Sequence, residues 1–219
     1  MCILFVSVSF LSRCKDALIK GIKIGHEVAL HCLEHRDIRY LSAEEFSNEL
    51  KKSKEIIKKE LGVEPVGFRF PCFRYKKEHL EALRSNGFIY DSSSYDKKHR
   101  NKIIIEDGFY EFATNLSHFL FFRINLSGGG YLRLLPPSFY SAQLSKCIKK
   151  NDYYMMYLHP FEIYNGKFPK LKGLNFIQKM YINRNRDKYP EIISNLIDRL
   201  KLEGFSFYTM KGYIEQNNG

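Results

Sequence analysis

The sequence predicts an α/β fold in which parallel strands are joined by helical crossovers into a sheet or a barrel. Three features carry that prediction. Short β-branched and aromatic runs alternate with amphipathic helical runs from Ile3 to Asp91. The helical runs bring their own start and stop signals. The strand-like runs end in polar residues able to do chemistry, which is where ligands collect in such folds. A chain of 219 residues and 25.9 kDa is long enough for one domain with a large core and too short for two full ones, so one domain over 1–219 is expected.

Taken in order, Ile3-Leu4-Phe5-Val6-Ser7-Val8 reads as a buried strand. The apolar start lacks the basic segment and the small-residue cleavage site of a signal peptide. Ala17, Leu18 and Ile22 share one face of a short helix from Cys14 to Lys23, and His26 to His31 reads as a second strand. The clearest helix starts at Ser42. There Ser42-Ala43-Glu44-Glu45 is a capping box, in which the hydroxyl accepts from the Glu45 amide while Glu45 reaches back. Phe46, Leu50, Ile57 and Leu61 line its inner face, and Gly62 offers a left-handed stop. Val66 to Phe70 is a strand closed by Pro71, Lys77 to Asn86 a helix, and Phe88 to Asp91 a further strand. Positions 94–137 break the rhythm with a basic loop, a strand pair around Ile103 to Ile105 and Tyr110 to Phe112, and the run Ser127-Gly128-Gly129-Gly130. This stretch reads as an insertion packed near the strand ends. The alternation resumes with a helix from Ser138 to Lys149, a strand from Tyr153 to Leu158 ending in His159-Pro160, a helix from Pro190 to Leu202 and a strand from Phe205 to Tyr208.

Composition narrows the function classes. Apolar residues make up 44% and charged residues 27%, which is the balance of a folded globular protein and excludes a disordered one. The formal charge of +11 is compatible with an anionic partner, but the lysines are scattered along helices beside apolar positions, as on a solvated surface. No Arg-rich arm or nucleic-acid motif accompanies them, so nucleic acid is not expected as a partner. Five cysteines without a CxxC pair indicate neither a disulfide framework nor a thiolate zinc site, and they point to a reducing, cytoplasmic location. No other stretch approaches transmembrane length.

His31 and His35 lie just past a strand, where a loop or first helical turn brings two imidazoles to one metal ion, although two surface histidines would look the same. Arg69, Asp91, His159 and Glu162 also sit at expected strand ends. Each has a bland reading: Arg69 pairing with a neighbouring carboxylate, Asp91 capping a turn, His159 satisfied in a loop. Together they favour a site.

At this point a family resemblance becomes specific. The run from Gly25 to His35, followed by Leu41 to Phe46, resembles the second motif of the polysaccharide deacetylases, carbohydrate esterase family four. Gly67-Phe68-Arg69-Phe70-Pro71 resembles the third motif, Tyr90-Asp91-Ser92-Ser93 the fourth, and Tyr157-Leu158-His159-Pro160-Phe161-Glu162 the fifth. The stretch from Ser127 to Pro136 is similar to one found in the subgroup associated with exopolysaccharide biosynthesis. The resemblance implies a distorted (β/α) barrel and a metal-dependent amidohydrolase that removes acetyl groups from N-acetylated sugars such as N-acetylglucosamine. It implies His31 and His35 as ligands of a divalent metal, usually zinc, and His159 as the general acid that protonates the leaving amine. Asp91 matches the carboxylate that orients and charges this acid, and Arg69 the residue that fixes the catalytic base. Pro71, Tyr131 and Arg133 are the expected contacts to the polysaccharide.

One departure from the pattern stands out. The family's first motif, a strand ending in two aspartates that supply a metal ligand and the base, should precede His31, yet only Asp16 lies upstream, inside an expected helix. The expectation is therefore a barrel lacking its first strand, an N-terminally truncated domain with a weakened zinc site. A catalytically inactive, glycan-binding domain, or one completed by another chain, is the alternative. A missing strand also predicts self-association through the exposed Ile3 to Val8 edge. Cys32, between the histidine positions, is expected to pack in the core and not to act as a stray ligand.

Overall fold

The computed structural model describes residues 1–95, 103–119, 121–149, 153–164, 173 and 175–217. They fall into two compact units. The first is Met1–Ser94, Ile103–Ala113 and Phe207–Gly219; the second is Tyr95–Lys102 and Thr114–Ser206.

The first unit is a six-stranded sheet in the order β1-β2-β3-β4-β6-β5, built from β1 (Ile3–Val6), β2 (Glu27–Leu30), β3 (Gly67–Phe68), β4 (Tyr90–Asp91), β5 (Ile104–Glu106) and β6 (Phe109–Glu111). All neighbours are parallel except β5 and β6, which form an antiparallel pair. Helices α1 (Leu11–Lys23), α2 (Ala43–Leu61) and α3 (Lys77–Ser85) make the crossovers that parallel strands require. Among the described residues the strands form an open run, not a closed ring.

The local signals operate as the sequence predicts. Ser42 Oγ accepts from the Glu45 N–H at 3.2 Å while Glu45 Oε2 accepts from the Ser42 N–H at 2.7 Å, so two orphan donors of α2 are satisfied. Gly62 ends the helix at φ 72°, a left-handed conformation that costs glycine little. Phe46, Leu50 and Ile57 from α2 meet Val28 and Leu30 of β2, Phe68, Phe70 and Leu83 in one buried core. Glycine at 67 has a packing reason: an added Cβ would collide with the Tyr90 ring. That ring crosses β3 so that Tyr90 Oη donates to Glu27 Oε1 on β2 at 2.6 Å.

The second unit contains the antiparallel hairpin β7 (Leu116–Phe119) and β8 (Phe122–Asn125) with α4 (Gly129–Leu134), α5 (Pro137–Ile148), α6 (Pro160–Ile163), α7 (Phe176–Asn183) and α8 (Tyr189–Leu202). Its own core gathers Leu126, Leu132, Tyr140, Leu144, Tyr189 and Leu196. The last helix, α9 (Met210–Asn217), belongs to the first unit. Among the described residues, no helix is long and apolar enough to cross a membrane.

Two expected strands are absent from the described residues. From Tyr153 to Leu158 only Tyr157 bridges, to Gly128. Asn115 explains the difference: its Oδ1 accepts from the Met155 N–H at 2.8 Å and its Nδ2 donates to the Tyr153 carbonyl at 3.1 Å, so a side chain satisfies backbone groups that a ladder would otherwise pair. At Phe205 the N–H closes onto the Leu200 carbonyl of α8, and the segment to Tyr208 continues without a ladder. The basic loop expected after Ser94 lies in part outside the described residues, at 96–102.

Candidate active site

The expected site residues divide between the units. His31, His35, Arg69, Pro71 and Asp91 belong to the first, and Tyr131, Arg133 and His159 to the second.

In the first unit β2 delivers His31 at its carboxyl end, where the His31 N–H donates to the Val6 carbonyl at 2.7 Å. His31 Nδ1 lies 2.6 Å from the Arg69 carbonyl oxygen. A carbonyl only accepts, so Nδ1 carries the proton and Nε2 keeps its lone pair, the arrangement that holds a metal-binding imidazole in one tautomer. The chain turns back at Cys32, which has φ 71°, and this places the His35 ring 5.1 Å from the His31 ring at 58°. Imidazole nitrogens are donors of the kind that divalent ions such as zinc take. Among the described residues no group of three His, Cys, Asp or Glu gathers around an ion-sized space. Cys32 is packed: it is buried, its Sγ donates to the Glu34 carbonyl, and burial pushes the thiol up to about 12.

Arg69 runs inward from the end of β3. Its Nε donates to the Ser92 carbonyl at 2.8 Å and its Nη2 to Ser92 Oγ at 2.7 Å, with the guanidinium 4.2 Å from the Phe5 ring centroid. It thereby ties β3 to the end of β4 while its carbonyl orients His31. Pro71 follows and opens a short turn in which Cys72 and Phe73 both have positive φ, at 53° and 57°. Two consecutive non-glycine residues in the left-handed region are costly and concentrate at functional sites.

Asp91 has a partner that sequence reasoning missed. The parallel register pairs it with Glu111 on β6, and both are buried. Ser93 donates to Asp91 through Oγ at 2.7 Å and N–H at 3.0 Å, while the Ser93 and Ser94 N–H groups donate to Glu111 Oε1 at 3.2 and 3.0 Å. Burial first, and then the adjacent Glu111 charge and hydrogen bond, push the Asp91 carboxyl well above the ordinary carboxylate range. Asp91 therefore holds its proton to higher pH than an ordinary carboxyl does. Its signal in the sequence was a lone carboxylate, Glu111, among the aromatic residues of an expected strand.

In the second unit, Gly128–Gly130, Tyr131, Tyr157, His159, Phe161 and Glu162 line a cleft of about 110 Å³. The glycine run is the start of α4, not a loop: the Gly129 N–H donates to the Tyr157 carbonyl at 2.9 Å, docking the helix start against the segment before His159. The His159 side chain is 60% exposed, stacked on the Phe161 ring at 5.5 Å. Glu162 and Arg133 behind it are buried and paired at 3.2 Å. Arg133, expected at the sugar, thus lies inside the unit, while Tyr131 lines the cleft. Burial alone would raise the Glu162 carboxyl; the His159 side-chain and backbone contacts and the Arg133 charge outweigh it and hold the group below its ordinary value. The unit presents an imidazole to solvent with an ionised carboxylate behind it, a combination suited to proton transfer.

The family model of the polysaccharide deacetylases matches residues 2–90, and that of a domain of unknown function, DUF3473, matches residues 88–215, more than half of the chain. The chain is 35% identical over 69 residues to the peptidoglycan deacetylase-like protein FGM2 of Gibberella zeae, a match covering 32% of this chain and 20% of that protein. Three solved structures share the fold. One, from Mycobacterium smegmatis and assigned as a polysaccharide deacetylase, is 18% identical with a TM-score of 0.56 over 95% of this chain and 74% of its own. The CE4-family pseudoenzyme BA3943 of Bacillus anthracis is 11% identical, with a TM-score of 0.58 over 97% and 54%. A xylanase's CE4 domain from the hindgut metagenome of Trinervitermes trinervoides is 16% identical, with a TM-score of 0.54 over 99% and 77%.

Proposed function

The chain belongs to the DUF3473 family and, through residues 2–90, to the polysaccharide deacetylases, and from that premise we propose that it is a metal-dependent hydrolase removing acetyl groups from the N-acetylated sugars of a polysaccharide. We read N-acetylglucosamine units of an exopolysaccharide as the substrate and zinc as the metal. The observation that carries this reading is the His31 and His35 pair at the end of β2, with Nδ1 of His31 tied to the Arg69 carbonyl so that the neutral ring offers Nε2 as its donor.

His31 and His35 would hold the ion. The chemistry supplied at such a site would be polarisation of an acetamide carbonyl and acidification of a water. Arg69, through its carbonyl, keeps His31 in the ligating tautomer, and we read its guanidinium as part of the frame for the base that would take the water's proton, a carboxylate that another chain would have to supply. In the second unit we read His159, an exposed imidazole, as the proton donor to the departing sugar amine and Tyr131 as a sugar contact; in the first unit we read Pro71 as a sugar contact.

The test is acetate release from N-acetylated oligosaccharides by the zinc-loaded chain. The reading expects release that is abolished in His159→Ala, and zinc binding by calorimetry that weakens at least tenfold in His31→Ala. A second reading, a glycan-binding domain without turnover, is favoured by the ligand set reaching only two imidazoles among the described residues. Oligosaccharide binding with no acetate at any zinc concentration would establish that second reading and overturn the first.

A further inference from the structure

The second unit holds a charge pair that the proposed reaction does not use. The Arg133 side chain is fully buried and that of Glu162 is 3% exposed. Arg133 Nη2 donates to Glu162 Oε1 at 3.2 Å, and Nη1 donates to the Ile182 carbonyl at 2.5 Å. The other carboxylate oxygen, Oε2, accepts from the His159 backbone N–H at 2.8 Å and lies 3.3 Å from His159 Nδ1.

A capping box at the start of α6 would need only the backbone contact, which a neutral glutamine supplies as well. It gives no reason to bury a guanidinium behind the carboxylate, since desolvating two charges is costly even when they pair. The surroundings are shaped for this carboxylate. A Cβ at Gly129 would collide with Tyr189 Oη and sit 3.1 Å from Glu162 Oε2, so only glycine leaves the room. Phe161 stacks on the His159 ring at 22°, and Tyr157 meets it edge-on at 6.1 Å, which restricts rotation about the anchored nitrogen.

We infer that Glu162 is the positioning residue for His159, accepting the hydrogen bond of Nδ1–H so that Nε2 is the nitrogen offered to substrate, and that Arg133 locks Glu162 in that posture. The inference rests on the reading of His159 as proton donor. An ionised carboxylate only accepts, so Nδ1 must donate to it. The titratable and charged groups facing the pair are Arg133 from α4, Tyr131 at the cleft wall, Tyr157 before α6 and Tyr189 from α8.

The test uses the full chain labelled with ¹⁵N-histidine, with the His159 resonances identified by their loss in His159→Gln. The expected result is a neutral form protonated at Nδ1 in the wild type, and loss of that preference in Arg133→Met/Glu162→Leu, which removes the acceptor and its buried counter-charge together, with folding checked by thermal melting. Acetate release in that variant should lose roughly tenfold in kcat with KM little changed. An unchanged tautomer in that variant would overturn the inference. A changed tautomer in a chain whose wild type releases no acetate would overturn the deacetylase reading while supporting the hold of Glu162 on His159.

Discussion

Asp91 and Glu111 face each other across two parallel strands, and the proton they share makes a prediction about stability. The raised Asp91 carboxyl holds its proton to higher pH in the folded chain than in the unfolded chain, which releases it near pH 4. Above that pH the unfolded state binds fewer protons, so stability falls as pH rises toward the raised value. Glu111→Gln preserves an acceptor for the Ser93 and Ser94 N–H groups and adds an amide donor toward Asp91. Urea unfolding at steps from pH 5 to 8 should therefore show a flatter profile in this variant than in wild type. An identical slope would mean that Asp91 is not held protonated by its neighbour. Single residues of the site were legible in the sequence where position carried the information: His31, Arg69, Asp91 and His159 stand at or beside the carboxyl ends of strand-like runs. Glu111 and the inward turn of Arg133 were not, because both depend on which strand or helix lies alongside, and no local pattern encodes that.

At the scale of elements, the signals that work are those satisfied within one turn of chain. The Ser42 box and the Gly62 stop place α2 within a residue of its expectation because every partner is local. Ser42→Ala should lower stability by about 1 kcal/mol in chemical denaturation, whereas Glu45→Gln, which keeps an acceptor for the Ser42 N–H, should cost less. A reciprocal pair between Asn175 and Gln178 starts α7 by the same chemistry, with bonds of 2.8 and 3.0 Å, and was readable in principle. The β7 and β8 hairpin was not, since Leu120 and Phe121 between its strands carry none of the turn residues that announce a tight connection. Non-local packing decides the rest. Gly67 permits the Tyr90 ring to reach Glu27 across β3, and Glu27 Oε2 also accepts the Lys211 N–H at 3.1 Å at the start of α9. Gly67→Ala should cost about 1–3 kcal/mol through overpacking, read as a lowered melting temperature. A wild-type melting curve would remove Tyr90 as a cross-strand tie.

For the whole 219-residue chain, the order of the sheet makes a prediction about self-association. The β1 strand pairs with β2 on one side and, among the described residues, with no strand on the other. The register tells which groups face outward. Cys2 and Val6 carbonyls accept from Glu27 and His31, and the Val8 N–H donates to Cys32, so the even-numbered residues face β2. In a parallel pair the backbone groups of one residue point to one side, which leaves the N–H and C=O of Ile3 and Phe5 on the outer edge. An apolar strand with such an edge is a template for pairing with a second chain. We therefore expect concentration-dependent self-association of this chain in sedimentation velocity. Ile3→Pro removes one outward donor at the first residue of the strand, where proline is tolerated, and leaves the β2 ladder intact. That variant should sediment as a smaller species at the same concentration with an unchanged melting temperature. Monomeric behaviour of the unmodified chain at high concentration would show that this edge does not recruit a second copy, and equal self-association in the proline variant would place the contact on another surface.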